Sequence, residues 1–287
     1  MMNTPTIVNI SNFDINRVTF VKVPSTKANR SPTINIKYDG QNFQLRLPSR
    51  MNTRLFEKMD ENKGEISYKL STNLTNCDPW GKERASGETD CEKLYNLVVF
   101  DLKEKILAAA EKNSIEWFGK QRSKEGLSES FTDMYMLSST KEGNIYVPNG
   151  KYSPSFRIKV PIYNNKVSAS VVDAGRNDVS VTPDTLKNTF QPNTEVNMVV
   201  SPSIYTMNGG GFGVTFKLSY AQVFPKSRIT AASIFADEEP ATQTQNTNIE
   251  EYLDDQPEEE QVTTTPPRPV TPPQLPAAPA RKKRSAA

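Results

Sequence analysis

Apolar residues recur at every second position near both ends of the region up to residue 225, and at helical spacing only in its middle. A short strand is expected around Arg17 to Val23. "TINIKYDGQNFQLRLP" predicts a hairpin, with Ile34, Ile36 and Tyr38 before an Asp39-Gly40 turn and Phe43, Leu45 and Leu47 after it. "EISYKLST" alternates again and sets Ile66, Tyr68 and Leu70 on one face, whereas "NCDPWGKERASGETD" is loop by composition. The period then changes: Leu94, Leu97, Val98, Leu102, Ile106 and Ala109 share a helical face, with Thr89 or Asp90 able to cap its start. "WFGKQRSKEGLSESFTDMY" predicts a turn and then a short helix from near Ser123.

Strands resume in "SFRIKVPIY" and "KVSASVV", joined by an Asn164-Asn165 turn. Thr182 as N-cap and Pro183 at the first helical position predict a short helix in "TPDTLKNTF". "TEVNMVVSPSIY" and "GVTFKLSYAQVF" close the region as two longer strands, the second with Val214, Phe216, Leu218 and Tyr220 on its apolar face. Strands, one long helix, then strands, without βαβ alternation or internal repeat, predict a mainly β fold: a partly closed antiparallel barrel or sandwich with an inserted helix.

Composition divides the 287 residues. Residues 1–30 read as an N-terminal extension, 31–236 as the folded domain and 237–287 as a disordered tail, acidic at first, then rich in Pro and Thr, then basic. The net charge of +2 hides this split. Of 33 acids and 35 bases, the tail holds 10 and 5, which leaves 23 and 30 before it, a net +7. The acids are Asp237, Glu238, Glu239, Glu250, Glu251, Asp254, Asp255, Glu258, Glu259 and Glu260, with no base among them. A basic body with an acidic arm points to a polyanionic partner and an internal competitor for it.

There is no histidine, and the two cysteines, Cys77 and Cys91, form no CxxC pair, so a structural zinc site lacks ligands. Without a leading signal peptide the thiols are expected free, in a reducing compartment. No apolar run approaches the ~20 residues of a membrane span, and a soluble, intracellular protein is expected.

Gly209-Gly210-Gly211 raises the question of a phosphate-binding loop. Such a loop needs a following helix whose N–H groups point at the anion, but the residues after Gly213 alternate as a strand and no GKS or GKT is present. A turn is the better reading. Without histidine there is no Ser-His-Asp or Cys-His arrangement, and no acidic cluster lies within a strand of the body. A non-catalytic protein without cofactor or metal is expected.

With each apolar face turned inward, Lys37, Arg46, Lys69, Arg157, Lys159 and Lys217 remain outside, against Glu65 and Glu195 as the acids. Basic residues on most strands suit a sheet surface that tracks a nucleic-acid backbone, although exposed lysines also keep sheet edges soluble. Aromatic platforms for bases are sought in loops: Trp80, Trp117, Tyr135 and Tyr152. Trp80 in "DPWGKER" is followed by Lys82 and Arg84, and Trp117 in "EWFGKQR" by Lys120 and Arg122, cations that could meet phosphates beside a stacked base. Trp117 and Phe118 could equally anchor the end of the long helix.

"EWFGKQRSKEGLSESFTDMY", "YSPSFRIKVPIY" and "GGGFGVTFKLSYAQVFP" resemble, in that order, the single-stranded-DNA-binding proteins of nucleocytoplasmic large DNA viruses, themselves similar to the replication single-strand binder of short-tailed bacteriophages. The resemblance spans about residues 30 to 225. It implies an OB-fold-like barrel with a long inserted helix, and binding of single strands with little sequence preference during replication, recombination or repair. It further implies an acidic C-terminal arm that competes with DNA and contacts replication proteins. The chain departs from the phage type in ending on a Pro-rich spacer and "RKKR", Arg281, Lys282, Lys283 and Arg284, which reads first as a nuclear localisation signal, with an extra DNA contact or a cluster that folds back on the acids as alternatives. Single-stranded DNA is the expected partner, in a viral factory of the host cytoplasm or in the nucleus. A homo-oligomer, a structural virion component and a single-stranded RNA-binding regulator stay open.

Overall fold

The computed structural model describes residues 5–24, 32–60, 65–207 and 209–225. The acidic segment Asp237–Glu260 and the Arg281–Arg284 cluster lie outside the described residues, as do the bounds expected for the N-terminal extension and the tail. Six strands come first: β1 (Thr6–Asn9), β2 (Val18–Val23), β3 (Thr33–Tyr38), β4 (Gln41–Arg46), β5 (Met51–Asp60) and β6 (Glu65–Asn73). Helices α1 (Asp90–Asn96) and α2 (Leu102–Lys112) follow, joined through a π-helical turn at Leu97–Asp101, and then α3 (Ser114–Phe118) and α4 (Lys124–Ser130). Short strands β7 (Phe131–Thr132), β8 (Tyr135–Met136), β9 (Ser139–Glu142) and β10 (Ile145–Pro148) lead to β11 (Ser155–Val160). β12 (Ile162–Tyr163), β13 (Lys166–Val167), β14 (Ser170–Val172) and α5 (Leu186–Thr189) precede the long strands β15 (Thr194–Thr206) and β16 (Phe212–Phe224).

Local signals explain most of these elements. Asp39 and Gly40 both take positive φ, 49° and 72°, as the tight turn between β3 and β4 requires. Asn164 and Asn165 do the same between β12 and β13. Thr89 caps α1 through a capping box, its side chain accepting from the Glu92 backbone while Glu92 reaches back to the Thr89 backbone. Ser123 caps α4 by accepting from the Gly126 backbone. Thr182 and Pro183, expected as N-cap and first helical residue, instead form a turn before α5: the helix begins at Leu186 with Thr185 at its N-cap, and the Thr182 carbonyl accepts from the backbones of Thr185 and Leu186.

The fold is mainly β, an OB-fold-like barrel of five strands. β15 pairs with β5, β5 with β6, β6 with β11, β11 with β16, and β16 returns to β15. The helical insertion lies between β6 and β11, and β3 and β4 pair with other stretches of β15. Leu70, Phe156, Ile158, Val196, Val200, Phe216 and Leu218 are buried, as are Leu94, Val98, Leu102 and Ile106 of the helices. Burial of this alternating set fixes the strand register, because a slip of one residue would turn it all outward.

Three further elements differ from the expectation. β5 shows no clean apolar alternation, because beyond Leu55 its hairpin with β6 leaves the core. Met59 and its cross-strand partner Ile66 are both exposed there, so Ile66 does not share the buried face of Tyr68 and Leu70. In β16, Val199 pairs with Tyr220 but Val200 with Leu218, so Ser219 is an extra, bulged residue. The bulge reverses the alternation after it: Ala221 is buried and Tyr220, expected inside, is 47% exposed. The WFG stretch is helical rather than turn, ending where Gly119 takes φ 75°.

The glycine run is a turn between β15 and β16. Met207 N donates to Gly211 O and Gly210 N to Met207 O, both at 2.8 Å, and Gly210 has φ 87°. Arg122 donates to Gly210 O at 2.5 Å. The turn thus presents a carbonyl to a cation, opposite in polarity to a phosphate cradle.

Candidate nucleic-acid interface

Register brings cations together on the outer face of the barrel. Lys69 of β6 pairs with Lys159 of β11, and Lys159 with Lys217 of β16. Paired residues point to the same side of a sheet, so three lysines stand abreast across three strands, about 10 Å of backbone in all. Arg157 lies two residues before Lys159, opposite Ser71, and Ser71 pairs on its other side with Arg54 of β5. Phe56 pairs with Lys69 and Lys58 with Ser67. Among the described residues none of these six cations has an ion-pair partner.

Phe56 is the centre of this face. Its ring is 39% exposed, with the Cζ of Arg54 and Arg157 at 5.4 and 5.6 Å from its centroid. Arg54, Phe56 and Lys58 were not candidates, yet "RLFEK" sets them two residues apart and so on one face of any strand. The Arg157 Nε is buried without an acceptor among the described residues, and burial lowers that group's pKa. Burial also holds the Lys69 pKa below its ordinary value, aided by the charges of Arg157, Lys58 and Lys159. Mutual repulsion and an unmet donor both describe a face on which a bound anion would relieve a cost.

Past the ends of β6 and β11, where Leu74 N donates to Pro154 O at 2.8 Å, lies a second group of candidates. Trp80 is 44% exposed, with the Lys82 ammonium 5.8 Å from its ring centroid. Its indole lies against Gly150, where a Cβ would sit 2.5 Å from the ring and φ is +60°, so glycine is required twice over. Gly81 likewise allows the half-buried Tyr135 ring to approach. The Asp78 carboxylate holds the loop by accepting from the backbones of Trp80, Lys82 and Glu83. Burial alone would raise its pKa, but those bonds and the Lys82 charge bring it below the ordinary value. Tyr152 is exposed beside the Lys151 ammonium, 5.3 Å from its ring centroid.

The remaining candidates lie elsewhere. Trp117 is 4% exposed and packs edge-on to Phe20 and Phe118, so its ring offers no face to a base. It anchors the helical insertion. Arg122 is committed to the fold, donating to Gly210 O, Gly126 O and Ser130 Oγ above the Phe118 ring. Arg84 pairs with Asp101 at 2.7 Å over Phe100, while Lys120 is exposed near the glycine turn. Lys37 donates to Asn42 Oδ1 at 2.7 Å where β3 pairs with β2 and β4, and Arg46 stands opposite Val199 of β15. Glu195 is paired with Arg50 at 3.0 Å. Cys77 and Cys91 are free thiols, and burial, with Cys91 and Glu92 nearby, pushes Cys77 up to about 12.

Among the described residues no group of three or more His, Cys, Asp or Glu could hold a metal ion, and no helix is long and apolar enough to cross a membrane. The fold and this face together define a mainly β barrel with a cationic, aromatic-centred outer surface. No protein-family model matches the chain, and no curated protein matches it. Among solved structures, the chain is similar to gp2.5, a single-stranded DNA binding protein encoded by bacteriophage T7, at 14% identity over 69% of this chain and 96% of that one. The TM-score of 0.38 is too low to place the chain in a family.

The depressed Lys69 pKa gives a signed prediction. A lysine whose folded pKa lies below 10.5 costs stability while charged, and the cost fades as pH rises through that pKa. Lys69→Gln should therefore raise the thermal midpoint of the free protein at pH 7 slightly, with the gain vanishing above pH 10.5. A lowered midpoint at pH 7 would show that Lys69 serves the fold instead.

Proposed function

We propose that this protein binds single-stranded DNA, without catalysis and without sequence preference, along the outer face of β5, β6, β11 and β16. The reading is carried by one observation: Lys69, Lys159 and Lys217 stand in register beside Phe56, whose ring has the guanidinium groups of Arg54 and Arg157 close by. The cations supply phosphate contacts, and a partly exposed ring beside guanidinium groups supplies a platform on which any base can stack. Trp80, Tyr135 and Tyr152 extend the platforms beyond the ends of β6 and β11, with Lys82 beside Trp80. None of these groups addresses a base edge specifically, which favours a sequence-independent binder.

The process served is replication, recombination or repair of viral DNA, in the host cytoplasm or nucleus. The acidic segment Asp237–Glu260 competes with DNA for the cationic face and recruits replication proteins. Arg281–Arg284 directs the chain to the nucleus. Charge complementarity between a +7 body and a run of ten acids supports the competing arm.

Fluorescence anisotropy of the full chain with single-stranded DNA, duplex DNA and single-stranded RNA, at two salt concentrations, tests the reading. Single-stranded DNA should bind tightest, with affinity falling steeply with salt, by a log–log slope of about −0.7 per phosphate contacted. Phe56→Ala and Arg157→Ala should each weaken binding about tenfold or more, in line with ~1–3 kcal/mol per stacked base. Equal or absent binding across the three ligands would overturn the proposal, and preference for RNA would redirect it.

Removal of residues 237–287 should tighten binding several-fold at low salt and less at high salt. Unchanged affinity would remove the competing arm from the account.

A further inference from the structure

The bulge at Ser219 has an effect beyond the barrel wall. Strict alternation along β16 would place Lys217 outside and Tyr220 inside; the extra residue turns Tyr220 out as well. Tyr220 therefore follows the lysine row along the same strand, about 10 Å further on. There it lines a cavity of about 440 Å³ with Arg46, Arg176, Asn197, Val199 and Gln222.

Arg46 and Tyr220 flank Val199 across adjacent strands, because Val199 pairs with Arg46 on one side and with Tyr220 on the other. Arg176 comes from the turn after β14, where it takes φ 67°, an uncommon conformation for a residue with a side chain. The turn is fixed: Arg176 N donates to Asp173 O, Asn177 N to the Asp173 carboxylate, and Gln222 Nε2 to Ala174 O. Asp173 is thereby engaged with Asn177, which holds its pKa below the ordinary carboxylate value.

The amides lining the cavity are also engaged. Asn197 donates to Gln222 Oε1 and accepts from Arg50 N. In contrast, the exposed guanidinium groups of Arg46 and Arg176 have no hydrogen-bond or ion-pair partner among the described residues. The cavity thus offers two unmet bidentate phosphate donors and a half-exposed phenol ring, in a volume within the ~300–1,000 Å³ of small-ligand sites.

We infer that this cavity is a second contact for the same single strand. It takes one phosphodiester on Arg46 and Arg176 and one base on Tyr220, after the strand has crossed the lysine row. The inference rests on the binding proposed above. Its consequence is a dependence on length: a short oligonucleotide fills the lysine row alone, and a longer one reaches both.

The test is anisotropy of the full chain with oligothymidylates of about 3 nucleotides, too short to run from Lys69 past Lys217 to Tyr220, and of about 16, the upper end of the range one OB fold covers. The Arg46→Ala/Arg176→Ala variant and Tyr220→Ala should each bind the long oligonucleotide about tenfold more weakly, with less than a twofold change on the short one. These side chains are exposed, and unchanged thermal midpoints would establish that the variants fold. Arg46→Lys/Arg176→Lys should recover the loss only in part, since an ammonium gives no bidentate contact. Wild-type affinity of the variants at both lengths would overturn the second contact while leaving the lysine row intact. Equal weakening at both lengths would also overturn it, by merging the cavity with the primary site. Failure of the wild-type protein to bind either oligonucleotide would instead defeat the underlying reading.

Discussion

Closure of the barrel depends on β16, which must run antiparallel to β15 along one edge and meet β11 on the other. The second pairing is short, a parallel contact in which Lys159 stands opposite Lys217. The step that closes the barrel therefore sets two ammonium groups side by side, and the β6–β11 pairing adds Lys69 as a third. A sheet designed for stability alone would place a carboxylate among them, since like charges directly opposite are destabilising. The burial and repulsion that depress Lys69 are the measure of this constraint, and the buried, unpartnered Nε of Arg157 is another. Local energetic conflict of this kind is common where a surface is shaped for a ligand rather than for the fold.

The surroundings of the face are built differently. Some cations away from it are matched: Arg84 by Asp101, Arg50 by Glu195, Lys103 by Asp133 and Lys187 by Glu57. Arg122 is tied into the glycine turn by hydrogen bonds to Gly210, Gly126 and Ser130. The six cations on β5, β6, β11 and β16 have no ion-pair partner among the described residues, which separates their charge from that of these tied groups. Net charge could not make this distinction; only register could.

Much of this was legible in the sequence. Period-2 alternation located β3, β4, β6, β11, β15 and β16, and turn chemistry at Asp39-Gly40 and Asn164-Asn165 fixed two connections. The Lys69, Arg157, Lys159 and Lys217 face was readable from alternation alone, though not that these residues were neighbours, because pairing across the barrel is a long-range property. β5 escaped notice because its outer half, with exposed Met59, leaves the core and loses the alternation; Phe56, Arg54 and Lys58 were lost with it. Tyr220 was assigned to the wrong face because a one-residue bulge has no signature in a run of good strand formers. Trp117 and Arg122 carry the side chains of a binding loop, but helix α3 turns the indole inward and the glycine turn occupies the guanidinium.

The central claim is that the row formed by barrel closure is the surface that holds the strand. Lysine acetylation of the full chain, read residue by residue by mass spectrometry with and without saturating oligothymidylate, tests it most directly. The account predicts strong protection of Lys69, Lys159 and Lys217 in the complex, while Lys93 of α1 and Lys187 of α5, paired with Asp90 and Glu57, react as in the free protein. Unchanged reactivity of the three row lysines, with protection concentrated elsewhere on the barrel, would contradict it.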